Sequence, residues 1–143
     1  MKHLSSIASL FSFPMIVLLA HLMASKVLNL YMKFPNLDIL SHYVGGLSIA
    51  YASAKILSYL EEEKIINRLN ILIFLTLIFS LTATAAVFWE FAEFIGDQLF
   101  KTNIQISLAN TMQDQLMGIL GGSTWVFICF RKFEKMTKSH RPG

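Results

Sequence analysis

Apolar residues occur in long blocks separated by short polar breaks. The blocks cover about residues 10–32, 39–60, 69–97 and 111–130. Each has the length that ~1.5 Å per residue requires to cross a ~30 Å hydrocarbon layer as a helix. The first break is a turn around Pro35, which pushes Phe34 out of the helical region. Asn36 or Asp38 can cap the helix that follows. The second break holds Glu61, Glu62, Glu63, Lys64 and Arg68 and reads as a solvated connection. The third is a polar loop over residues 101–109, after which Asn110 or Thr111 can cap the last helix. The pattern predicts an all-α, polytopic integral membrane protein with four transmembrane helices in an antiparallel bundle. It forms one membrane domain over residues 1–143, with a frayed basic tail over 131–143.

Each block has its own character. In the first, Pro14 falls near the expected helix start, where its missing N–H costs little. His21, Lys26 and Asn29 fall roughly on one side of it. A cleaved signal peptide ending near Ala24 and Ser25 is the competing reading, but the apolar stretch outruns a signal core. The second block carries Gly45, Gly46, Ser48, Ala50, Ala52, Ser53 and Ala54, small residues that let a neighbouring backbone approach. The third, extended to Phe100, is roughly 45 Å long, so it tilts, breaks near Gly96 or projects from the bilayer. The fourth contains the packing motif Gly118-x-x-x-Gly122.

Composition agrees with this pattern. Of 143 residues, 55% are hydrophobic and 15% charged, against roughly 25% charged in soluble domains. Mean hydropathy is +0.56. The single cysteine, Cys129, excludes an intrachain disulfide and a multi-cysteine metal site. Net charge is +3. Arg131, Lys132, Lys135, Lys138 and Arg141 form a juxtamembrane cluster of the kind that meets anionic lipid, rather than a nucleic-acid site. With Lys64 and Arg68, they make both termini cytoplasmic in a multi-pass cell-membrane protein.

That orientation gives the acidic residues a common level. Glu90, Glu93 and Asp97 share one helix face at i, i+3 and i+7. Glu90 lies roughly 33 Å beyond Arg68, at the outer edge of the hydrocarbon. Asp38 and His42 open the second helix, and Asn110 and Asp114 the fourth, each pair at i and i+4. Carboxylates with one imidazole suit a divalent metal: Mg²⁺, Mn²⁺, Ca²⁺ or, through His42, Zn²⁺. His42, Glu90, Glu93 and Asp114 are the candidate ligands. Glu90, Glu93 and Asp114 are the candidate acid–base groups, with Asp38, Asp97 and Asn110 in support. Blander readings stand beside these. Asp38 serves as a helix cap, Asp97 as a solvated acid, Trp89 and Trp125 as packing aromatics, and His3 and His21 have no chemical role.

The residues Asp38-x-x-x-His42, Gly45, Trp89, Glu90, Glu93, Asn110-x-x-x-Asp114 and the glycines from Gly118 to Gly122 carry a family likeness. Over roughly residues 37–122 the chain resembles the small bacterial membrane proteins of the YjdF type and, more distantly, VanZ-like proteins. It departs from the VanZ-like pattern at Ile39, where that family has Lys, and at Asn110 and Asp114, where its order is Asp before Asn. The YjdF type also has an acid where Asn110 stands. The resemblance implies a multi-helix membrane fold and brings no settled activity. Three function classes fit the sequence. One is a protein that binds or acts on a lipid or envelope-precursor headgroup, the second a small cation or proton transporter, and the third a structural or assembly protein, with self-association open to each.

Overall fold

The computed structural model describes residues 2–24, 28, 30–34, 36–101 and 104–139. These form α1 (Lys2–Leu22), α2 (Leu30–Lys33), α3 (Asn36–Glu62), α4 (Ile71–Phe100) and α5 (Leu108–Ser139). Four are long and α2 is a single turn. Within the expected first span, α1 runs to Leu22 and α2 occupies Leu30–Lys33. Pro14 stands inside α1, which begins twelve residues earlier at Lys2. It removes one backbone hydrogen bond from the helix interior. Lys26 and Asn29 of the expected stripe, Ser25 at the proposed cleavage point, and Pro35 lie outside the described residues.

The connections hold more structure than their polarity suggests. Phe34 N–H donates to Leu30 O at 2.8 Å and Leu37 N–H to Phe34 O at 3.0 Å, turning the chain into α3. After α3, Lys64 takes the left-handed conformation (φ 56°) that ends many helices. Glu61 Oε1 accepts from Leu69 N–H at 2.7 Å, and Asn70 caps α4 by accepting from Leu72 N–H at 2.8 Å. α4 runs unbroken through Gly96 to Phe100. Ser107 Oγ accepts from Asn110 N–H at 3.1 Å, so Ser107 caps α5 in place of Asn110 or Thr111. At its far end α5 continues past Phe130, and the tail expected to fray is helical to Ser139. No glycine or proline interrupts it there, and Arg131 pairs with Glu134 at 3.5 Å.

α3 is the centre of the bundle and packs on α1, α4 and α5, and α1 packs mainly on α3. Small residues set the spacing. A Cβ on Gly46 would run into the Gly118 carbonyl, and one on Gly121 into the Tyr43 carbonyl. Gly122 faces the Thr82 side chain of α4. The core is Ala50, Ala54, Leu57 and Ile78, with Trp125, Val126 and Cys129 against it. Ser48 and Thr82 are buried and back-bond to Gly45 O (2.7 Å) and Ile78 O (2.8 Å), which satisfies their hydroxyls locally.

The outside is apolar. Leu72, Ile73, Leu77, Phe79, Phe88 and Phe91 of α4 are exposed. Small and polar residues inside with large apolar ones outside suit a lipid solvent, not water. Two helices, Ile71–Phe100 and Leu108–Lys135, are long and apolar enough to cross a membrane, and α1 adds a shorter apolar stretch, Ser9–Leu22. α3 has the length, at 27 residues, but its hydroxyls, His42 and Lys55 dilute its hydropathy.

Candidate functional site

The antiparallel course of α3, α4 and α5 gathers the start of α3, the end of α4 and the start of α5 at one end of the bundle. Because α3 and α5 approach through glycines, His42 and Asp114 come together across the same contact, with Gly118 close to the His42 carbonyl. Two groups result: Asp38, His42 and Asp114, and His42, Glu90 and Glu93. Within each, one donor atom per residue lies within 4.8 Å of the others. An ion at ~2.0–2.6 Å from each donor allows donors to stand up to roughly 4–5 Å apart, so either group has a size suited to one divalent ion.

His42 is the hinge between the groups. Its Nε2 is 3.6 Å from Asp38 Oδ1, and its Nδ1 is 3.8 Å from Glu90 Oε1. Neither distance is a hydrogen bond. Glu90 and Asp114 are each 2% exposed. Among the described residues, His42 Nε2, Glu90 Oε1 and Asp114 Oδ1 are buried without a hydrogen-bond partner, as is Trp125 Nε1 further along α5. Buried polar atoms are normally paired, because an unpaired one carries its full desolvation cost. Three such atoms around one imidazole mark a place built for something further.

Charge gives the same answer. Asp38, Glu90, Glu93 and Asp114 surround one imidazole, and among the described residues no lysine or arginine pairs with any of them. So much negative charge at a desolvated site must be met by a cation or by protons.

The remaining contacts divide the expected residues. Gln105 Nε2 donates to Glu90 O at 2.9 Å and to Glu90 Oε2 at 3.1 Å, holding that carboxylate in place. Trp89 Nε1 donates to Glu93 Oε1 at 2.9 Å, so Trp89 belongs to the site and is more than a packing aromatic. Trp125 keeps the expected packing role, edge-on to Tyr51 at 5.0 Å. Asp97 is neither simply solvated nor in the cluster. Its carboxylate accepts from Ile104 N–H at 2.8 Å and Gln105 N–H at 2.9 Å, which folds the loop so that Gln105 reaches Glu90. Asn110 contributes its backbone at the cap of α5. Asp38, expected mainly as a cap, joins a ligand group.

His21, set aside in the sequence, meets the site from α1. Its ring is 5.2 Å from Trp89 and 6.2 Å from His42, and its Nδ1 is 2.9 Å from Tyr31 Oη and 3.1 Å from Ser41 Oγ. The shared side of His21, Lys26 and Asn29 points to a partner-facing stripe, and His21 does meet Ser41 of α3, whereas Gln105 gains its meaning only from tertiary neighbours. Beside the site, a cavity of about 210 Å³ runs between α1 and α4 over the face of α3.

A helical bundle with an apolar exterior and a buried acid–histidine end belongs to the membrane class of proteins. Residues 3–135 match the family described as predicted membrane protein (DUF2238), and the chain belongs to that family, which is that of the YjdF type. No curated protein and no solved structure matches the chain.

Proposed function

We propose that this is a four-span cell-membrane protein that holds a divalent cation at its outer face and, through it, binds the phosphate of a lipid or envelope-precursor headgroup. The observation that carries the reading is the trio of buried, unpartnered atoms on His42, Glu90 and Asp114. Asp38, His42 and Asp114 are the favoured ion ligands. In this arrangement Nδ1–H of His42 turns to Glu90, the carboxylate–histidine pairing that orients metal-bound imidazoles. A bound ion would supply Lewis acidity toward a water molecule, and Glu90 and Glu93 would be the groups placed to take its proton. The basic residues Lys64, Arg68, Arg131, Lys132 and Lys135 lie toward the opposite ends of the helices and support cytoplasmic termini. α1 supplies His21 to the site, which supports its retention as a span. The VanZ-like likeness stays at the level of the shared motifs.

Phosphorus NMR of glycerol phosphate tests this reading. In the presence of Mn²⁺ and the detergent-purified protein, the phosphorus signal is expected to broaden beyond that of Mn²⁺ alone. The Glu90→Gln, Asp114→Asn double variant is expected to abolish the excess. Equal broadening with both proteins would refute the reading.

A further inference from the structure

The cavity between α1 and α4 adds a second half to this site. Its walls are Pro14, Val17 and Leu18 of α1, Gly45 and Ile49 of α3, and Ala85 and Ala86 of α4. These are apolar or small; His21, Ser41, His42 and Trp89 line one end, and the two further polar residues of the lining, Ser48 and Thr82, donate their hydroxyls to their own helices. That end is shared with the ion cluster, since His42 belongs to both ligand groups and Trp89 is hydrogen-bonded to Glu93. From Trp89 to Thr82, which also lines it, the cavity follows two turns of α4, roughly 10 Å along the axis. Its volume of about 210 Å³ exceeds the ~150 Å³ apolar cavity that stays dry and accepts benzene.

The gap lies between α1 and α4, which both pack on α3 and meet each other through the rings of His21 and Trp89 at the site end. Gly45 makes the same point at one residue, because a Cβ there would meet nothing within 4 Å. In a bundle whose helices otherwise approach backbone to backbone, this space is unusual. In a chain of a family described as membrane proteins, the apolar matter available to such a slot is hydrocarbon chain. A short apolar slot continuous with a charged, ion-sized cluster has the shape of one amphiphile, tail along the helices and head at the membrane surface.

We infer that the slot between α1 and α4 holds the hydrocarbon chain of an anionic, phosphate-bearing lipid whose head engages the His42 cluster. The inference rests on the headgroup reading above and assigns its ligand class. Pro14 and Gly45 keep the slot open, and the rings of His21 and Trp89 stand where chain gives way to head.

Photolabelling with phosphatidic acid carrying a diazirine in one acyl chain tests the assignment. Purified protein is labelled, digested and mapped by mass spectrometry, with metal content measured on the same sample. In the unaltered protein, label is expected on the α1 and α4 segments containing Leu18 and Ala85. Gly45→Phe, which fills the slot from α3, is expected to lower that label at least about tenfold, equivalent to ~1.4 kcal/mol of binding. Label on the lipid-facing segment around Phe79 and the metal content are expected to persist. Ala85→Phe, filling the slot from the opposite wall, gives the same result should Gly45→Phe fail to fold. A diazirine diacylglycerol, lacking the phosphate, is expected to label the slot about tenfold less. Label unchanged in both filled variants would overturn the slot. Equal label with both lipids would overturn its coupling to the head. Absence of metal alongside slot label that Gly45→Phe removes would refute the cation reading and leave the slot standing.

Discussion

The two sides of α3 are built to opposite rules. Toward α5, Gly46 meets the Gly118 backbone and Tyr43 meets Gly121, with no room for one additional carbon. Toward α1, Gly45 has nothing within reach of an added Cβ. These adjacent glycines, identical in chemistry, differ only in which neighbour their helix face presents. On the closed side, the missing side chain brings two backbones together and seats His42 beside Asp114. On the open side, the same absence leaves a cavity. Close packing fixes the positions of His42 and Asp114, and incomplete packing leaves the cavity beside them.

The largest way to break this contrast is Gly46→Val. The new side chain strikes the Gly118 backbone, which cannot move as a flexible side chain would. A loss of about 3 kcal/mol or more in folding stability is expected from detergent-based unfolding. Gln105→Ala is expected to have an intermediate effect. It removes the donor that holds the Glu90 carboxylate, and outer partners of this kind are worth about 10–100-fold in metal affinity. Mn²⁺ titration checks this, with folding stability reduced by only about 1 kcal/mol. Gly45→Ala should be the quietest, within about 1 kcal/mol of the unaltered protein and stabilising in sign, because alanine is the better helix former and nothing obstructs it. Equal penalties at Gly45 and Gly46 would end the comparison between the two sides.

The sequence revealed the parts of the fold that repeat along the chain. Apolar block length marked the helices, and pairs such as Asp38 with His42 at i and i+4 marked a shared face. Antiparallel topology then brought Glu90, Glu93 and Asp114 to their level. Other features depended on contacts between distant residues. Gln105 reads as one more polar loop residue until Asp97 folds the loop back. His21 looks isolated until α1 lies along α3. The tail expected to fray as a chain end is helical to Ser139, because no glycine or proline interrupts residues 131–139. Asp97 shows the converse, an acid on the right face whose carboxylate serves the loop instead of the cluster.

The most direct test of the cation site is a Mn²⁺ titration of detergent-purified protein followed by electron paramagnetic resonance, in which bound Mn²⁺ loses its free-ion signal. The account predicts a saturable site in the unaltered chain, lost in the Glu90→Gln, Asp114→Asn double variant while helical content stays the same. A chain that binds no Mn²⁺, or a double variant that binds it as tightly as the original, would contradict it.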